Sequence, residues 1–162
     1  MLYFDVEDVN MIQRIQHFFL LLSAVATGII ILKPVISIEV PNGESGLMYA
    51  SALKSAGAGE VILPSLPLVF LVSLITLISL VSIFLYKKRL LQMRLTVYNM
   101  ILLVGLLGLG YFYARLGAKE ISGEIKLMFF SVMPLVAFIL SLLAWRGIRR
   151  DYLMIKAIDR IR

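Results

Sequence analysis

From Pro64 to Tyr86 the chain reads PSLPLVFLVSLITLISLVSIFLY, with no formal charge anywhere in the run. A helix rises ~1.5 Å per residue, so about 20 such residues cross a hydrocarbon layer of roughly 30 Å. The segment therefore reads as a membrane-spanning helix. Pro64 and Pro67 fall at its start, where a missing amide donor leaves no intrahelical bond unmade. Outward from it, similar stretches cover residues 17–38 (HFFLLLSAVATGIIILKPVISI), 95–114 (LTVYNMILLVGLLGLGYFYA) and 125–145 (IKLMFFSVMPLVAFILSLLAW). Pro134, near the middle of the last, is expected to kink that helix. Composition agrees: 60% of the 162 residues are hydrophobic, 16% are charged and mean hydropathy is +0.95, too apolar for an ordinary soluble domain. The expected fold is all-α, a single four-helix transmembrane domain over residues 1–162.

Charge placement gives an orientation. Arg14 precedes the first span, and Lys87, Lys88, Arg89 and Arg94 lie between the second and third. Arg146, Arg149, Arg150, Lys156, Arg160 and Arg162 follow the fourth. The other side carries Lys33, Lys54, Arg115, Lys119 and Lys126, balanced by Glu39, Glu44, Glu60, Glu120 and Glu124. By the positive-inside rule both termini and the 87–94 loop are cytoplasmic, and loops 39–63 and 115–124 are outside. Net charge of +6 thus belongs to a membrane surface and not to nucleic acid binding, for which neither a motif nor an aromatic platform is present. Ala24-Val25-Ala26 resembles a signal-peptidase site, but apolar sequence continues to Ile38, so the segment reads as a retained first helix.

The outer loop is the longest stretch outside the spans. Pro41-Asn42-Gly43 predicts a turn, and Leu47 to Leu53 a short helix lying on the membrane. After Trp145, RGIRRDYLMIKAIDRIR places Ile148, Tyr152, Ile155, Ile158 and Ile161 among basic residues, predicting an amphipathic C-terminal helix along the inner leaflet. Anionic headgroups on the cytoplasmic side are the partners this tail implies.

No chemistry-bearing set is visible. Cysteine is absent and histidine occurs once, which removes disulfides, thiol nucleophiles and Cys/His zinc sites. HExxH, GxSxG, a Walker lysine loop and paired carboxylates are all missing, so no catalytic residue, cofactor or metal is expected. A lipid-acting enzyme would need polar groups such as Lys33 and Glu39 to converge at headgroup level. Asn99, a turn inside the third span, is expected to hydrogen-bond across to another helix. Ser73, Thr76, Ser79 and Ser82 recur every three residues on the second span and read as a packing stripe, as do Gly105, Gly108 and Gly110 on the third.

MIQRIQ at Met11–Gln16, YKKRLLQMRLTVYN at Tyr86–Asn99 and WRGIRRDYLMIKAIDRIR at Trp145–Arg162 together resemble the small four-span membrane proteins of Bacteroidetes known as domain of unknown function 4293. The resemblance covers about Met11 to Arg162 and makes Met1–Asn10 look like an extension relative to that family's usual start, or the result of a start codon placed upstream of it. It implies four spans in a bacterial inner membrane and brings no activity or cofactor. The residues that carry it are Gln13, Arg14, Gln16, Lys88, Arg89, Gln92, Arg94, Asn99, Arg146, Arg150, Asp159 and Arg160. Most lie on the cytoplasmic side, where they form an expected contact network.

The function expected is that of a non-catalytic accessory or assembly subunit with an integral membrane partner. Its inner surface would dock or bind lipid through Arg14, Lys88, Arg89, Arg94, Arg146, Arg149, Arg150 and Arg160. The alternative is a small transporter or channel-like protein for an uncharged or anionic solute.

Overall fold

The computed structural model describes residues 6–40, 45–86 and 88–159, with side chains from residue 15 to 154 outside the gaps and at Lys156. Four long helices, α1 (Val6–Leu32), α2 (Leu66–Phe84), α3 (Arg89–Glu120) and α4 (Met133–Asp159), are each long and apolar enough to cross a membrane. Each packs against two others in the ring α1–α2–α3–α4.

The buried positions explain the packing. On α1 they include Gln16, Leu20, Ser23, Thr27 and Ile30; on α2, Leu68, Val72, Ile75, Ser79 and Ser82. On α3 they include Gln92, Thr96, Asn99, Leu103 and Leu106; on α4, Ala137, Ser141, Ala144, Ile148 and Asp151. All four series step by four, three, four, three. That is the heptad spacing of a left-handed bundle, in which a strict seven-residue repeat keeps one seam turned to its neighbours. Outward faces are apolar instead of polar: Phe70 is 73% exposed, Phe84 78% and Ile101 61%. Lipid solvates such a surface where water does not.

The expectation of an all-α fold is wrong. Five short strands, β1 (Ile36–Glu39), β2 (Gly46–Met48), β3 (Ala52–Ser55), β4 (Val61–Pro64) and β5 (Glu124–Leu127), form one antiparallel sheet in the order β4-β3-β2-β1-β5. The sheet caps the bundle at the end opposite the start of α1 and the end of α4. In β1, Ile36 and Ile38 are buried while Glu39 is exposed, the alternation of a strand with one face on a core. Ile38 and Leu53 press on α3 at Gly117, where an added Cβ would lie 3.0 Å from Ile38 Cδ1 and 2.9 Å from Leu53 Cδ2. Loop backbone that would otherwise need water finds its partners in this ladder.

Three further expectations change with it. Leu47–Leu53 is not a surface helix but β2, a turn and β3; Tyr49 N–H donates to Ala52 O across that turn. Pro134 does not kink a span: it is the second residue of α4, after a 3-10 turn over Phe129–Val132, where a proline removes no helical bond. The C-terminal segment is no separate helix on the membrane surface, because α4 continues unbroken to Asp159 with Ile148 and Asp151 still on its buried stripe. The side chains of Ile155, Ile158 and Ile161, and the Pro41-Asn42-Gly43 turn, lie outside the described residues.

Candidate functional site in the bundle interior

Ten of the twenty heptad positions carry polar side chains; the small apolar cluster of Leu20, Ala144 and Ile148 divides this polar seam into a group at the terminal end and a deeper one. At the terminal end Gln16 Nε2 donates to Asp151 Oδ2 at 2.8 Å, and Arg89 Nη1 stands 3.4 Å from the same oxygen. Asp151 is 5% exposed, and a carboxylate so enclosed persists where a cation and a donor face it. Gly147, one turn before Asp151, brings α1 and α4 together: a Cβ there would sit 2.8 Å from Gln16 Cγ. Arg89 Nη1 lacks hydrogen-bond geometry to the carboxylate, and Gln92 Nε2, one turn along α3, is buried with no acceptor among the described residues.

Deeper in the bundle, Asn99 Nδ2 donates to Ser79 Oγ at 2.9 Å and contacts Ser141 Oγ at 3.4 Å, joining α3 to α2 and α4. Ser141 and Ser23 share a hydrogen bond of 3.0 Å, which brings in α1. Asn99 Oδ1 is left without a partner among the described residues. One turn toward the sheet, Thr76 donates to Thr27 at 3.0 Å between α2 and α1. Thr96 donates back to Gln92 O within α3.

The seam gathers only part of the residues singled out in the sequence. Asn99, Ser79 and Thr76 meet other helices. Ser82 is buried but donates to Ile78 O in its own helix, and Ser73 is exposed. The reason is rotation: at about 100° per residue, a step of three drifts, so Ser73 and Ser82 end on opposite faces. Gly105, Gly108 and Gly110 are not close contacts within this chain, since an added Cβ would meet nothing within 4 Å at any of them. Among the basic residues, Lys88, Arg94, Arg146, Arg149 and Arg150 are exposed, with Arg149 5.3 Å from the Trp145 ring centre. Arg89 is turned inward to Asp151, while the side chains of Arg14 and Arg160 lie outside the described residues. Lys33 and Glu39 do not converge: Glu39 pairs with Lys126 at 2.5 Å.

Asp151, the centre of the terminal-end cluster, was missed as a site residue because charge counting places it in a basic flank. Its signal was the continuing four-three spacing from Ala137, which puts this one acid on the buried stripe. Among the described residues no group of three His, Cys, Asp or Glu could hold a metal ion. The seam supplies hydrogen bonding and no nucleophile with a base beside it.

The sequence model described as Domain of unknown function (DUF4293) matches residues 12–161. The chain belongs to the DUF4293 family. A comparison with the curated proteins finds no match. The DUF4293 match takes in α1 from residue 12 onward, the other three helices and the whole sheet, so the polar seam and the cap are both parts of the matched region. This DUF4293 chain is a polytopic, membrane-type helical protein in which the usual catalytic motifs are lacking.

Proposed function

We propose that this protein is a non-catalytic accessory or assembly subunit of a bacterial inner-membrane complex, docking through its terminal end. The observation that carries this reading is a cluster of exposed cations. Lys88, Arg94, Arg146, Arg149, Arg150 and Lys156 are exposed at that end, and none pairs with a carboxylate of a described residue. Such cations gain about 1 kcal/mol each near anionic headgroups, and a comparable attraction awaits an acidic partner segment. Positive-inside placement turns this face and both termini to the cytoplasm. A groove of about 380 Å³ between α3 and α4 there is lined by Arg94, Tyr98, Trp145 and Arg149, a mixture of aromatic and basic groups suited to the headgroup boundary.

A second surface supports the reading. Ile101, Gly105, Gly108 and Phe112 form one exposed stripe on α3, and the open space at both glycines lets another protein's helix approach closely. The transport alternative finds less support, because Asn99 bonds Ser79 and contacts Ser141, and none of the three lines this groove or the 640 Å³ cavity under the sheet. Purification in mild detergent followed by mass spectrometry should recover a stoichiometric membrane partner, and Arg146→Glu with Arg150→Glu should release it. Recovery of an isolated monomer under several mild conditions would overturn the proposal.

A further inference from the structure

Toward the sheet-capped end α3 and α4 separate. Four residues of β5 and a 3-10 turn intervene between them, and β5 is drawn sideways to pair with β1. The separation leaves a cavity of about 640 Å³ under the sheet, walled by Leu106, Gly110 and Ala114 of α3, Pro134 of α4, and Ile36 and Met48 of the sheet. Its polar contributions are few: Ser131 already donates to Val35 O. Leu107, Tyr111 and Leu135, all exposed on the outer surface of the bundle, border the opening. Arg115 stands at the same rim, its Nε donating to Tyr111 Oη at 2.8 Å and its guanidinium 5.3 Å from the Tyr111 ring centre. It makes no ion pair with a described residue, whereas nearby Lys126 is neutralised by Glu39.

We infer that this cavity is a lipid site, holding one acyl chain of an anionic phospholipid from the leaflet on the sheet side, with the phosphate on Arg115. Membrane registry supports it. From Arg94 to Arg115 α3 rises about 32 Å at ~1.5 Å per residue, close to the roughly 30 Å of a hydrocarbon layer, so the two arginines mark its two boundaries. The cavity wall from Leu106 to Arg115 then covers about 13 Å of depth, close to half that layer and hence the reach of one leaflet's chains. An acyl chain suits that depth and the apolar wall, and the guanidinium offers its remaining donors to the phosphate oxygens in the paired geometry that arginine favours.

The experiment uses the full chain in vesicles of phosphatidylglycerol mixed with phosphatidylcholine. Each lipid in turn carries a photoreactive group on its acyl chain, and adducts are mapped by mass spectrometry. The expected result is labelling of the 106–115 and 132–135 segments, several-fold stronger with phosphatidylglycerol. Gly110→Leu, at a position where an added Cβ meets nothing within 4 Å, should lower that labelling several-fold, while Gly108→Leu on the outer face of α3 should not. Arg115→Gln should retain labelling and lose the preference for phosphatidylglycerol; because it changes an exposed side chain, it tests the proposal even if Gly110→Leu fails to fold. Equal labelling by the two lipids, unchanged labelling in Gly110→Leu, or a second copy of the chain cross-linked through these segments would each overturn it.

Discussion

Asp151 shows how one residue can hold an end of the bundle. Its carboxylate takes a hydrogen bond from α1 and faces a cation from α3, so three helices meet at one oxygen. Replacing one member of a buried pair strands the other, at a typical loss of about 3–5 kcal/mol. Arg89 retains 20% side-chain exposure and can partly recover water, so the expected loss for Asp151→Ala lies near 3 kcal/mol, the lower end. Asp151→Asn keeps an acceptor for Gln16 and should lose less. The double change Arg89→Met with Asp151→Leu should be less destabilised than Asp151→Ala alone, since no charge is left unpaired. Unfolding in mixed micelles measures all three, and equal stability of Asp151→Ala and the parent protein would show that the pair contributes nothing. Asn99 was legible in the sequence as the only amide within the expected spans. Asp151 was hidden because four cations within five residues of it made the segment read as solvated surface.

At the scale of elements, α3 ends in a defined stop. Gly123 N–H donates to Ala118 O at 3.0 Å, the closing bond of a Schellman motif, with Ser122 in the left-handed position at φ 51°. Glycine usually occupies that position, because a Cβ there is crowded. Ser122→Gly should therefore stabilise the protein by about 0.5–1 kcal/mol. Gly123→Ala should destabilise it, since a Cβ would fall 2.7 Å from Ile38 Cγ2 and 2.9 Å from Glu39 O, both in or beside β1. Thermal unfolding checks both, and a fall in midpoint for Ser122→Gly would contradict the first. The strands themselves were not legible. Each has three or four residues, too few for a period of two to stand out, and Ile36–Glu39 and Glu124–Leu127 adjoin apolar runs that absorb them into helices. The helices were legible because twenty apolar residues in a row leave little alternative.

For the whole molecule, four helices in a ring put the sheet at one end, and the start of α1, the end of α4 and the α2–α3 connection at the other. Reporter fusions after Arg94 and Arg162 should therefore respond alike, and a fusion near Lys54 oppositely; under the positive-inside reading the first two are cytoplasmic. An external Arg162 fusion with a cytoplasmic Arg94 fusion would contradict the four-helix path. The number of helices and their apolar exteriors could be read from hydropathy. The cap could not, because it depends on β1 and β5 meeting across most of the chain.

That meeting also dictates a sequence of events during biosynthesis. β1 to β4 form a meander of neighbours and can pair as soon as the segment between α1 and α2 has been made. β5 is made only after α3, so the ladder's last rung is added when the third crossing is complete, and non-local pairing of this kind is slow relative to helix formation. Until then Ile36 and Ile38 on β1 lack their β5 neighbours, and the half-made protein carries an unzipped sheet edge.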